Sequence, residues 1–264
     1  MKTKPFADYI FNDTPCVITI GVFDGIHLGH QRIIDETVSL AEDLQAQSVV
    51  ITFSANPKMV NNSAPAMAAL QSSADLEEIL ADRGINYHCV IDFSSDMSKL
   101  SGEEFIALLC TSYEVRAMVV GDSFRAGARA HSVGPSEIKD LLSKYTSSAY
   151  LRVIPPVVKD DEVVSSSLIR GCLLTGNLDK AAGLLGRAYS LDLRGIKSQK
   201  DTSQTRLLFD VRTLGLLLPK AGKYKVRATA EGESIETQAF VSEDHLALEL
   251  PVRMIPDGIT FLGA

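Results

Sequence analysis

Apolar positions recur along this chain with two alternating periods. "CVITIGV" (16–22) is a continuous β-branched, apolar run between Pro15 and Phe23, and it predicts a buried strand. After "HLGH" the period changes. Ile33, Ile34, Val38, Ala41 and Leu44 recur at helical spacing, with acidic residues between them. The alternation then repeats. "SVVITF" (48–53), "HCVIDF" (88–93), "VRAMVVGD" (115–122) and "AYLRVIP" (149–155) read as strands. "SADLEEILADRG" (73–84) predicts a short helix closed by Gly84. "SGEEFIALLCTSY" (101–113) opens with Ser101 and Glu104, a capping-box pair, and "GPSEIKDLLSKY" (134–145) is a further helix. Strands alternating with helices imply an α/β fold with a mostly parallel sheet and helices on both faces.

Near residue 186 the pattern changes. "SSSLIRGCLLTG" (165–176) and "NLDKAAGLLG" (177–186) predict two short helices. Beyond them "LLFDVRTLGLLLP" (207–219), "KYKVRATA" (223–230), "ESIETQAFV" (233–241) and "HLALELPVRM" (245–254) read as strands separated by polar turns. The expected organisation is an α/β domain over 1–186, followed by a small antiparallel, barrel-like β domain over 187–264. Three unusual loops follow strands of the first part: "GVFDGIHLGH" (21–30), "FSANPK" (53–58) and "GDSFRAG" (121–127). In a parallel sheet such loops open on one crevice beyond the carboxyl ends of the strands.

Composition narrows the function class. The 264 residues carry a formal net charge of -7, which argues against a nucleic-acid or polybasic membrane surface. Cys16, Cys89, Cys110 and Cys172 are widely spaced in apolar runs and read as small buried hydrophobes of a reducing compartment. "MKTKPFADYIFNDTP" has no continuous apolar core of a signal peptide, and no run approaches a membrane span. A cytoplasmic protein acting on small molecules is expected, with no metal held by protein ligands alone.

The first loop carries the chemistry. His27 and His30 are three apart, one helical turn, and a lone pair at that spacing is weak evidence for a metal site. The context is more specific. Gly21, Gly25 and Gly29 clear side chains from the passage between a buried strand and a helix, around Phe23 and Asp24. The helix start offers free N–H groups and a positive dipole end suited to phosphate, and two imidazoles stand beside it. Neither the P-loop nor the dinucleotide fingerprint is present, so a nucleotide would be held differently.

"GVFDGIHLGHQ" resembles the histidine signature of the HxGH nucleotidyltransferase superfamily. In detail it is similar to the adenylyltransferase module of prokaryotic bifunctional riboflavin kinase/FAD synthetases. "VITFSANPK", "VVGDSFRAG" and "VVSSSLIRGCLLTGNLDKAAGLLGRAYSL" agree with that family in order, over roughly residues 14 to 192. The resemblance implies a Rossmann-like fold and transfer of AMP from ATP to FMN, with Mg2+ bridging phosphate oxygens. It implies that His27 and His30 contact the phosphates, with His30 at the reacting α-phosphoryl. Ser166, Ser167 and Arg170 would hold the triphosphate, with Gly21, Phe23, Asp24, Gly25, Gly29 and Ser165 lining the ATP site. On the flavin side it implies Asn56, Pro57, Lys58, Gly121, Asp122, Phe124 and Arg125. By itself "SSSLIR" reads as a serine cap with a solvated arginine.

Ser167 stands where the family has threonine and keeps the hydroxyl. Asn56 stands where it usually has histidine, and Ser123 and Ala126 where it usually has an acid and an aromatic. Both loops lie on the flavin side, which leaves open a different phosphorylated acceptor, or a non-catalytic nucleotide or flavin sensor. The region "GRAYSLDLRGIKSQKDTSQTRLLFDV" (186–211) lacks the Pro-Thr-Ala-Asn of the family's kinase barrel. The chain stops at "ITFLGA" with no amphipathic closing helix, and Glu249 is a poor base, since strand alternation explains it. Riboflavin kinase activity is therefore not expected.

Overall fold

A computed structural model describes residues 1–6, 11–54, 68–92, 96–201, 206–250 and 254–263. Contacts group the chain into two compact units. The first is Met1–Phe23, Gly29–Ala66 and Glu77–Val157; the second is Asp24–Leu28, Met67–Leu76 and Val158–Ala264.

The first unit is built on a parallel sheet of β1 (Lys2–Pro5), β2 (Phe11–Ile20), β3 (Gln47–Phe53), β4 (Tyr87–Ile91), β5 (Tyr113–Gly121) and β6 (Tyr150–Ile154). The strand order is β1-β4-β3-β2-β5-β6, with every neighbour parallel. Helices α1 (Leu28–Asp43), α2 (Ser73–Asp82), α3 (Gly102–Ser112) and α4 (Pro135–Tyr145) lie between the strands in sequence. Cys16, Ile18 and Ile20 of β2 pack on one face with Phe105, Ile106 and Leu109 of α3 and Ile138 and Leu142 of α4. Val17 packs on the other face with Leu40 and Ala41 of α1. Burial on both faces is why residues 16–20 of β2 are apolar but for the buried Thr19. The strand order reverses at β2, with β3 on one side and β5 on the other. The switch point of the sheet therefore lies between the carboxyl ends of β2 and β5.

Local signals set the element ends. Ser101 Oγ accepts from Glu104 N–H at 3.2 Å while Glu104 Oε2 accepts from Ser101 N–H at 2.8 Å, closing the expected capping box. Gly84 follows α2 in the left-handed region, at φ +82. β2 stops at Ile20, two residues before the expected end, because Phe23 at φ 48 turns the chain and lays its ring on Gly21. β1 has no apolar signal. It is an exposed edge strand held by backbone pairing to β4.

The second unit begins with the hairpin β7 (Val158–Lys159) and β8 (Glu162–Val163), followed by α5 (Ser166–Thr175) and α6 (Leu178–Leu185). A seven-stranded antiparallel sheet follows. It contains β9 (Ser190–Asp192), β10 (Ser198–Lys200), β11 (Arg206–Asp210), β12 (Gly222–Ala230), β13 (Glu233–Val241), β14 (His245–Glu249) and β15 (Gly258–Phe261), in the order β10-β11-β14-β13-β12-β15-β9. Its end strands β9 and β10 are consecutive in the chain, joined by residues 193–197. That connection reaches at most about 20 Å. A flat sheet would separate its ends by about 29 Å. The sheet must curl toward a barrel.

The run 207–219 is not one strand. β11 ends at Asp210, whose carbonyl accepts from Thr213 Oγ1 in the short helix α7 (Val211–Leu214). Gly215 at φ +64 then turns the chain. β9, β10 and β15 are too short to show a period. Among the described residues no helix is long and apolar enough to cross a membrane.

Candidate functional site

Three successive turns of backbone shape the loop after β2. Gly25 takes φ +88, and a Cβ there would meet Leu70 Cδ1 at 2.9 Å. Phe23 and Ile26 take φ 48 and 33, although both carry side chains and both are buried. Left-handed backbone costs about 1–3 kcal/mol at each such residue, so surrounding contacts must hold it. Because Gly25 and Ile26 are not helical, α1 begins at Leu28. His27 therefore precedes the helix, and the two histidines are not both within one helical turn; His30 alone lies in it.

Asp24 is the hub of the second unit's part of this loop. Its Oδ1 accepts from Leu70 N–H at 2.8 Å, and its Oδ2 pairs with Arg170 Nη2. Its backbone carbonyl accepts from Ser166 Oγ at 2.8 Å. Ser166 and Arg170 are four apart in α5, so one face of that helix presents both to the same aspartate. Arg170 Nη2 also donates to Ala68 O at 3.1 Å, and its buried Nε makes no hydrogen bond among the described residues. Ser165 caps α5 by accepting from Leu168 N–H at 3.2 Å, and Ser167 is exposed. His27 is buried, which pushes its pKa down to about 4 against the opposing pull of Asp24. It is a neutral imidazole at neutral pH.

In the first unit, Gly21 donates its N–H to Ile51 O at 3.1 Å. Phe23 meets the half-buried His30 edge to face, with centroids 5.2 Å apart. Gly29 and His30 are the second and third residues of α1, whose first turn has no acidic side chain. Gly121 ends β5, next to β2. Asp122 is exposed and donates its N–H to Ile154 O at 3.2 Å. Phe124 is half-buried against the main core, and the exposed Arg125 folds back onto Ser132 O at 3.2 Å. Asn56, Pro57 and Lys58 lie outside the described residues.

No group of three His, Cys, Asp or Glu side chains able to hold a metal is found among the described residues. Asp24 has both carboxylate oxygens engaged, one by Leu70 N–H and one by Arg170. All four cysteines are free thiols, and burial pushes Cys16 up to about 12 and Cys89 and Cys110 up to about 11, which makes them unreactive.

Sequence reasoning passed over Arg187. Its Nη2 donates to Gly25 O at 2.8 Å and Gln71 Oε1 at 3.2 Å, and its Nη1 to Ile26 O at 3.1 Å and Leu185 O at 3.4 Å. No local pattern marks it, since Gly25, Ile26 and Gln71, three of its four acceptor residues, lie more than a hundred positions earlier in the chain.

Residues 10–168 match the family profile described as FAD synthetase. A bifunctional riboflavin kinase/FMN adenylyltransferase of Listeria monocytogenes is 28% identical over 247 residues, covering 89% of this chain and 76% of that protein. The protein of the same description from Bacillus subtilis is 28% identical over 228 residues, covering 82% and 68%. An FAD synthetase of Listeria monocytogenes is 27% identical over 174 residues, covering 66% and 69%. A crystal structure described as a macrolide-efflux protein from Streptococcus pneumoniae superposes with a TM-score of 0.82 at 20% identity, covering 98% of this chain and 88% of that one. That likeness establishes a shared fold.

Proposed function

This chain belongs to the FAD synthetase family, and on that premise we propose that it transfers AMP from Mg–ATP to FMN, giving FAD and pyrophosphate. A phosphate oxygen of FMN attacks the α-phosphorus in line. The bond to the bridging oxygen breaks, and pyrophosphate leaves with the electron pair. No covalent enzyme intermediate is needed, so the protein contributes position and charge.

The observation that carries this reading is the amino end of α1. A glycine-bearing loop leads into it from the sheet's switch point, its first turn is free of acids, and His27 and His30 sit at its cap and in its first turn. Free N–H groups and the helix dipole suit a triphosphate. We assign His30 to the reacting phosphoryl group and the neutral His27 to a hydrogen bond with a phosphate oxygen. Ser166, Ser167 and Arg170 are assigned to the triphosphate, which competes with the Asp24 carboxylate for Arg170. Gly121, Asp122, Phe124 and Arg125, with Asn56, Pro57 and Lys58, are assigned to the flavin. The transfer is assigned to residues 1–186, and a supporting role to 187–264.

The same reading makes the chain inactive as a riboflavin kinase. Pro-Thr-Ala-Asn is missing from its β region, and Glu249 is paired with Arg206 rather than free to act as a base. The test is product chromatography. FMN with Mg–ATP should give FAD and pyrophosphate, and riboflavin with Mg–ATP should give no FMN. Absence of FAD, or steady FMN formation from riboflavin, would overturn the respective part. His30→Ala should lower kcat by about 100-fold or more in a folded protein.

A second acceptor is favoured by one observation. Ala126 stands where the family usually has an aromatic, and here it is buried in a backbone bridge to Val133. Profiling phosphorylated acceptors with ATP and CTP separates the two readings.

A further inference from the structure

Gly25 and Ile26 hold the left-handed backbone that delivers His27 to the amino end of α1, and both give their carbonyls to one side chain. Arg187 follows Gly186, which caps α6, and stands three residues before β9. Its guanidinium donates from Nη2 to Gly25 O and from Nη1 to Ile26 O, at 2.8 and 3.1 Å. Two more acceptors fix the plane of the fork: Gln71 Oε1 at 3.2 Å, from a buried glutamine, and Leu185 O at 3.4 Å. A planar cation with several donors can set two adjacent peptide planes at once, which an ammonium on a flexible stem cannot.

We propose that Arg187 is a positioning residue for adenylyl transfer, orienting the peptides of Gly25 and Ile26 so that His27 is held at the phosphate end of α1. The inference rests on the adenylyl-transfer reading of the loop. It also gives the segment that enters the second sheet a role in the reaction. The same segment carries the Tyr189 hydroxyl, which donates to Leu217 O, and Asp192, which accepts from Ser72 Oγ at 2.7 Å. Ala69 is paired with Leu216 beside them. Residues 69–72 and the loop 24–27 are thus fastened from the β region. Arg187 itself is not assigned to substrate.

Arg187→Lys and Arg187→Gln in the full chain test this. The expected result is a fall in kcat of about 10- to 100-fold with the FMN KM changed less than twofold. Unfolding curves set the folded fraction, and kcat is taken per folded molecule. A wild-type kcat per folded molecule would overturn the proposal, since a residue that only stabilises the fold lowers the folded fraction and not the turnover. The second readout does not need activity. In protein with 13C-labelled histidine, the His27 ring signal, identified by its loss in His27→Gln, should shift in Arg187→Lys. An unmoved signal overturns the proposal. Should the wild-type protein form no FAD, the functional reading fails while the His27 signal still decides the role of Arg187. If both Arg187 variants fail to fold, Gln71→Leu, which removes one acceptor of the fork, should give a smaller shift of the same signal; no shift there overturns the proposal.

Discussion

The loops that leave β2 and β5 start from adjacent strands of one sheet, and they are held in opposite ways. In residues 21–27, Phe23, Gly25, Ile26 and His27 are buried, and the backbone departs three times from the ordinary regions. Its carbonyls and its carboxylate are bound by Ser166, Arg170 and Arg187, all more than a hundred residues away. In residues 121–134 the positions come from neighbouring backbone. Phe124 N–H returns to Gly121 O, Ala126 pairs with Val133, and Ala128 N–H reaches Leu100 O at 2.8 Å. Gly127 at φ +87 lies so close to Gly102 that a Cβ would be 2.1 Å from its nitrogen. Asp122, Ser123 and Arg125 point to solvent. Where a few backbone atoms must be placed against strain, long-range side chains do the holding. Where the frame is backbone held by backbone, the outward side chains can be exchanged at little cost to the fold. The departures from the family pattern at Ser123 and Ala126 fall in the second kind of loop.

The sharpest way to break this contrast is Asp24→Ala. It leaves the guanidinium of Arg170, only 12% exposed, without its carboxylate. Removing one partner of a buried pair costs about 3–5 kcal/mol, and a urea titration should show it. A loss below about 1 kcal/mol would mean that the loop is not held by its charges.

Next in size is the pH dependence of stability. Burial lowers the pKa of His27 from 6.5 to about 4 in the folded chain. Between those values the unfolded chain binds more protons, so stability falls as the pH drops from about 6.5 to about 4, by up to roughly 3 kcal/mol from this group. Above and below that window His27 contributes no slope. His88, buried in β4 and likewise lowered to about 4, adds a term of the same sign. His27→Gln should therefore remove only part of the slope, measured by denaturant unfolding across the window. An unchanged slope would show that His27 is solvated.

The smallest effect is expected in the other loop. Arg125→Ala removes an exposed side chain whose described bonds are the weak ones to Ser132. Stability should move by no more than about 0.5 kcal/mol. Under the proposed assignment the KM for FMN rises while that for ATP stays put. A destabilisation approaching that of Asp24→Ala would erase the difference between the loops.

Much of the architecture was legible because it depends on neighbours. The apolar run of β2 reports burial on both faces, Ser101 and Glu104 cap α3 from three residues apart, and Gly134 with Pro135 starts α4. The glycines and histidines of the first loop stood out because left-handed backbone and close packing call for glycine within a short stretch. What no window could display was set by tertiary packing. The edge strand β1 is polar and exists because β4 offers it a backbone to pair with. The run 207–219 is strand-like in composition, yet it breaks at Asp210, and Leu216 pairs with Ala69 instead. From its own segment alone Arg170 reads as a solvated helix residue, and nothing local shows that it is the partner of Asp24, 146 positions earlier. Arg187 has no local signature at all, because the carbonyl it binds at Gly25 lies 162 positions earlier. Sequence determined each element's period, caps and turns, since those energies are local. Which elements meet, and so which side chains hold the loop, was decided only when the folded chain brought distant residues within hydrogen-bond reach.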